Sequence, residues 1–156
     1  MPDVSALPPA STGPEHDSAP ELIRVLDQAE CFALLATDCV GRVVYTRNAL
    51  PAITPVNYTL DRHRILIRTS SGSAVAHTAM NEDVVAFEVD DIDRRTEEGW
   101  SVVVVGVVHL VVDAGELVRA AQHPVRTFAG GTRDTLVALT PGSVTGRWVG
   151  GTAPKD

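Results

Sequence analysis

The sequence is poor in the features that announce the best-known chemistries. Its only two cysteines are Cys31 and Cys39, and their spacing fits neither a CxxC redox pair nor the paired hooks of a zinc site, so two buried thiols are expected. No GxSxG elbow occurs, and Ser71 and Ser73 have no base beside them, which leaves nucleophilic hydrolysis unsupported. The five histidines contain no HExxH and no metal-ligand pairing; His109 is expected within a strand and His77 on a helix surface or against a sheet. Neither GxGxxG leading into a helix nor GxxxxGK is present, which excludes a Rossmann or P-loop nucleotide site. Asp90, Asp91 and Asp93 crowd together, yet the EF-hand spacing and its closing Glu are missing. A solvated acidic turn is expected there, and no metal is assigned.

Other absences bound the partners. Thirteen Lys and Arg stand against twenty Asp and Glu, a formal charge of −7 with no basic cluster. A nucleic-acid backbone or an anionic membrane is therefore not an expected partner, and any bound anion must be held locally. The N-terminus lacks the basic and apolar segments of a secretory signal. The longest apolar run, Val102 to Val112, is broken by His109 and falls short of the roughly 18 residues that a membrane span needs. A cytoplasmic location is expected.

What is there suits one domain with a real core, given 156 residues. Met1 to Ala19 is rich in Pro, Ser, Ala and Asp without apolar periodicity, so residues 1–19 are expected to be a disordered tail. The domain spans residues 20–150, and residues 151–156 form a C-terminal tail. Leu22, Ile23, Val25 and Leu26 give a helical stripe after Pro20. Asp27 and Glu30 have capping-box spacing and predict a second helical segment through Cys31, Leu34 and Leu35, with a strand from Cys31 to Thr37 as the alternative.

From Gly41 the texture turns to β. Arg42–Thr46, Ala52–Leu60 and His63–Arg68 read as a meander, with turns at Asn48 and Asp61–Arg62. Pro51 and Pro55 remove ladder donors, so the second of these strands is expected to be an edge or irregular. Ala74–Met80 predicts a short helix and Val84–Val89 a strand. Gly99–Val112 predicts a long strand buried on both faces for much of its length, bent near Gly106 so that it coils around a barrel. Glu116–Ala121 predicts a helix, and Gly130-Gly131 a loop. Leu136–Thr140 and Val144–Val149 predict strands separated by a turn at Pro141-Gly142. There are no internal repeats.

One stretch is chemically distinctive. In Ile65–Ala76, ILIRTSSGSAVA, an apolar strand breaks into Thr69, Ser70, Ser71 and Ser73 around Gly72 just before a helix, an arrangement suited to a phosphate. A Ser-capped helix start with no ligand reads the same way.

Taken in order, Val40-Gly41-Arg42-Val43, Pro51 to Tyr58 (PAITPVNY), Arg68 to Ser73 (RTSSGS), Phe87-Glu88-Val89-Asp90-Asp91, Gly99-Trp100-Ser101-Val102 and Thr145-Gly146-Arg147 resemble the pyridoxamine 5′-phosphate oxidase-like split-barrel flavoproteins, in the branch related to nitroimidazole-resistance proteins. The resemblance covers roughly Pro20 to Gly150. It implies a mainly β fold with flanking helices, a split β-barrel, that forms a homodimer with FMN at the subunit interface. Carried over by position, Thr54, Pro55, Val56 and Asn57 would pass along the isoalloxazine ring. Arg68, Thr69, Ser70 and Ser73 would surround the ribityl-phosphate end. Trp100 and Ser101 would approach the ring from the other subunit, with Arg147 at the rim. Many members place Lys or Arg after the Gly-Ser step, where this chain has Ala74 and Val75, so Arg64 or Arg68 would have to substitute.

The implied activity is an FMN-dependent oxidoreductase acting on a small organic substrate, with no side chain marked as catalytic. Two alternatives stand beside it: the same fold holding F420, and a non-catalytic flavin- or haem-binding module.

Overall fold

Two tight turns with left-handed residues start the architecture. Asn48 and Ala49 (φ 52° and 61°) join β2 (Val40–Arg47) to β3 (Leu50–Asp61), and Arg62 (φ 57°) joins β3 to β4 (Arg64–Thr69). Positive φ at both central residues gives the backbone twist that matches two adjacent strands. The computed structural model describes residues 23–125 and 132–150. The N-terminal tail, the Gly130-Gly131 loop and the C-terminal tail expected from the sequence lie outside the described residues.

The remaining elements are β1 (Ile23–Leu26), α1 (Gln28–Leu35), α2 (Ala74–Met80), β5 (Val84–Asp93), β6 (Glu98–Leu110), α3 (Ala114–Ala120) and β7 (Thr135–Val149). The strands follow the order β7-β4-β3-β2-β5-β6, and β6 pairs back onto β7, which closes a six-stranded antiparallel ring. This is the split barrel expected from the sequence. β1 adds to the edge of β7, with Ile23 opposite Val149.

The sequence located several elements well. Asp27 Oδ1 accepts from Glu30 N and Glu30 Oε2 from Asp27 N, each at 2.8 Å, so the capping box forms and α1 starts there. α2 has the expected bounds. The register of β6 and β7 shifts between Val105 and Gly106, and a Cβ at Gly106 would lie 2.0 Å from the Thr140 carbonyl oxygen. Only glycine permits that approach, so the bend falls where expected.

Other expectations are corrected. Ile23–Leu26 is a strand and not a helix: four residues carry too little periodicity to separate the two, and the free edge of β7 at Gly146–Val149 supplies the partner. Pro141-Gly142 is not a turn. β7 runs through it as one strand, because β6 partners it on both sides of the bulge, pairing Val105 with Ser143 and Gly106 with Pro141 while Gly142 is skipped. Asp90, Asp91 and Asp93 lie within β5, where Arg42 Nη1 donates to Asp90 at 2.8 Å and to Glu88 at 2.9 Å. β6 is buried on one face only, since among the described residues no helix covers the other; Val105 and Val107 are 38% and 41% exposed.

The core fills the ring. Phe87 is fully buried beneath Gly41, where a Cβ would meet the ring at 2.2 Å, and Tyr58 packs edge-on to it at 5.0 Å. The Tyr58 hydroxyl donates to the Leu35 carbonyl at 2.6 Å, which ties α1 to the barrel, and burial pushes the phenol well above its usual range. A smaller cluster, Leu66, Val111, Ala120, Leu136 and Ala138, packs beneath α3 outside the ring.

Candidate functional site

The ring has an opening. β3 pairs with β2 along Leu50–Asn57 but with β4 only along Tyr58–Asp61. Beyond that point β4 leaves β3 to reach Thr69, and the chain turns into α2. Among the described residues no strand pairs with the other edge of Leu50–Asn57. An open edge next to a helix start is a natural place for a flat ligand, because backbone polar groups there still need partners.

Strand alternation sorts the predicted residues around this opening. Thr54 and Val56 face inward with Tyr45, whose hydroxyl lies 3.2 Å from Thr54 Oγ1. Thr69 also faces inward, in line with the core residues Ile65 and Ile67, and its hydroxyl donates to Ser73 Oγ at 2.7 Å. Ser73 caps α2, accepting from Ala76 N at 3.0 Å. Ser70 is exposed in the turn, and its carbonyl accepts from Ser73 N. Pro55, Asn57 and Arg68 project to the opposite side, with Asn57 buried and Arg68 half-buried.

The strand–helix junction is less open to an anion than its sequence suggests. Ser73 spends its acceptor capacity on α2 and Thr69, and the Asp134 carboxylate already accepts from Ser71 N at 3.3 Å. Of the two arginines considered as charge donors, Arg68 is on the far face from Thr69. Arg64 is held between Asp61 (2.7 Å) and Glu116 (3.0 Å). The Arg64 hydrogen bond keeps the Asp61 carboxyl below its ordinary value, and its two carboxylates raise Arg64 in turn.

Trp100, Ser101 and Arg147 form a second group. Ser101 is opposite Arg147 on β7 and Asp90 on β5; Trp100 is opposite Trp148. The Trp148 indole N–H is buried without a hydrogen-bond partner among the described residues. Within one chain this group is remote from Thr69: the β7 residue paired with Thr69 is Thr135, at the other end of a strand that reaches Val149.

Sequence reasoning missed the cleft beside the opening. A cavity of about 330 Å³ lies between the β2–β3 turn and α2, lined by Tyr45, Thr46, Arg47, Asn48, Gly72, Ser73, Ala74, His77, Thr78, Asn81 and Asp83. Its two walls are distant in sequence, so no local pattern announces it. Among the described residues no group of His, Cys, Asp and Glu is placed to hold a metal, and no helix is long and apolar enough to cross a membrane.

Comparison with known proteins places this architecture. Residues 27–148 match the pyridoxamine 5′-phosphate oxidase family, and the chain belongs to it. A relative from Mycobacterium tuberculosis, itself uncharacterized, is 40% identical over 144 residues, covering 90% of this chain and 93% of its own. The FAD binding protein from Mycobacterium smegmatis superimposes with a TM-score of 0.71 at 32% identity, over 81% of this chain and 98% of that one. A protein of Bacteroides thetaiotaomicron, provisionally assigned to 5-nitroimidazole antibiotic resistance, shares the fold with a TM-score of 0.63 at 11% identity, over 82% of this chain and 89% of that one.

Proposed function

We propose that the protein is a flavin-nucleotide-dependent oxidoreductase acting on a small organic substrate as a homodimer, with FMN as the cofactor inferred from the sequence. The observation that carries this reading is the opening between β3 and β4, with inward-facing hydroxyls at Thr54, Thr69 and Ser73. It occurs in a chain 32% identical to an FAD binding protein nearly all of which it matches. Bound there, a flavin supplies the electron transfer, and the protein supplies orientation and a dry wall. The Leu50–Val56 edge offers backbone groups to the ring, and the Thr69–Ser73 pair lies at the end where β4 gives way to α2.

The homodimer is supported by the outer face of the ring. Ile53, Val44, Ala86 and Val105 are successive cross-strand partners over β3, β2, β5 and β6, with Val84 and Val107 paired in the adjoining row. Ile53 and Val84 are 61% and 64% exposed. A contiguous apolar patch of this kind, with the charged Arg42–Glu88–Asp90 group beside it, is typical of a surface made to be covered. Ser101 and Arg147 share that face, so association through it offers a route for them to reach a partner's opening.

The decisive experiment is a titration of the purified chain with FMN, FAD and F420, followed by absorbance and fluorescence. Tight binding of a flavin with a shifted visible spectrum is expected. Only millimolar affinity for every one of them would end the reading, and selective tight binding of F420 would transfer it to the deazaflavin. Turnover with a reductant and an organic acceptor separates an enzyme from a carrier. Val105→Glu is expected to turn a dimer into monomers in sedimentation and to weaken flavin binding with it.

A further inference from the structure

The cleft beside the opening has a chemistry that the flavin reading does not by itself assign. Its walls carry one arginine, one histidine and several neutral donors, and its one carboxylate, Asp83, belongs to the segment after the C-terminal end of α2. Arg47 ends β2 at the turn and is exposed; it makes no ion pair among the described residues, whereas Arg42 and Arg64 are each held by two carboxylates. His77 follows Ala74 by three positions and so shares its face of α2, and both line the cleft. Ser73 Oγ accepts from both Thr69 Oγ1 and Ala76 N, which leaves its own hydroxyl hydrogen free to donate.

We infer that this cleft takes the phosphate end of the flavin nucleotide, with Arg47 as its charge partner and the His77 ring and Ser73 hydroxyl as further donors. The inference rests on the flavin reading and adds the residues that read the anion. Two observations support it. Arg64 and Arg68, the arginines nearest in sequence to the Thr69–Ser73 stretch, are respectively engaged elsewhere and on the other face. Ser73 belongs both to the hydroxyl pair at the opening and to the cleft wall, so the two spaces adjoin. A guanidinium fork suits a phosphate because two parallel N–H groups meet two oxygens, and at −7 overall the chain has little long-range attraction to add.

The test is equilibrium binding of FMN, FAD and riboflavin to the full chain and to variants, read by flavin fluorescence, with thermal melting to confirm folding. The wild type is expected to prefer a phosphorylated flavin over riboflavin by about tenfold or more, and to lose part of that preference as salt is added. Arg47→Ala is expected to remove about tenfold from FMN and FAD and to leave riboflavin unchanged; Arg47→Lys restores part of the loss, His77→Ala gives a smaller one, and Arg68→Ala none. Equal weakening of riboflavin by Arg47→Ala, no weakening at all, or a wild type that binds riboflavin as tightly as FMN would each overturn the inference while the flavin reading stands. A wild type that binds none of the three overturns both.

Discussion

The two sides of the barrel are built to different ends. On one side β5 pairs with β6 along its whole length, from Val84 to Asp93, and β6 pairs with β7 from Gly99 to Leu110. Valines alternate along this wall, and those that face inward at Val85, Val89, Val102 and Val104 are almost fully buried. On the other side β3 and β4 share only Tyr58–Asp61 and Arg64–Ile67 before separating. There the inward positions carry hydroxyls at Thr54 and Thr69, and two prolines interrupt the donors of β3. The wall has its strand pairing and its inward apolar contacts complete within the chain, and the opening leaves the pairing incomplete. Stability is concentrated in the first and recognition in the second, which is the common division between a rigid scaffold and the segment that binds.

Substitutions on the two sides should therefore separate in what they damage. The largest effect belongs to the wall side of the core. Phe87→Ala removes a fully buried ring that lies under Gly41 and against Tyr58, and it should cost about 3–5 kcal/mol of unfolding free energy in a urea titration. Flavin binding should fall only as far as the folded population does. At the opening, Thr69→Val removes the hydroxyl that donates to Ser73. Stability should fall by about 1 kcal/mol, while affinity for a phosphorylated flavin falls more than affinity for riboflavin. Equal loss for both ligands would place Thr69 with the scaffold.

The smallest effect is at the far end of β4. Arg64→Ala breaks partly exposed ion pairs with Asp61 and Glu116 and should cost about 1 kcal/mol or less at neutral pH. Asp61 is held below its ordinary value of 3.8 in the folded chain, chiefly by the Arg64 hydrogen bond. Its contribution is thus fully present above that value and is lost as pH falls through the lower folded one. The stability difference between wild type and Arg64→Ala should narrow in the acid range below about pH 4. A difference that stayed constant there would mean that Asp61 is not stabilised by Arg64.

Much of the scaffold was legible because its causes are local. The Asp27/Glu30 box starts α1, Ser73 starts α2, the Asn48 and Arg62 turns separate the meander strands, and Gly106 marks the bend because nothing larger fits against Thr140. The misreadings share one feature, dependence on a distant partner. Ile23–Leu26 is a strand because the end of β7 is free to receive it, and β7 passes through Pro141 because β6 runs beside it. The outer face of β6 is exposed because no helix among the described residues lies over it, which a run of valines does not disclose.

The candidate site divides the same way. The hydroxyl cluster at Thr69–Ser73 was visible as composition, since short polar side chains between a strand and a helix serve either a cap or an anion. Which of its groups remain available was not visible. That depends on the Ser73 cap, on Asp134 reaching Ser71, and on Arg64 being drawn to Glu116, far along the chain.

By itself, then, the order of residues determined the small helices and the turns, because capping, periodicity and steric exclusion act within a few positions, while the family was legible through the resemblance of its ordered motifs. Pro51 and Pro55 marked β3 as an edge or irregular strand in the sequence; the tertiary structure alone decided which stretch of it stays open, that an apolar face of the ring is uncovered among the described residues, and that Arg47 and His77 line one cleft. Those features follow from ring closure, which brings together segments that share no local signal and fixes which polar groups are already paired.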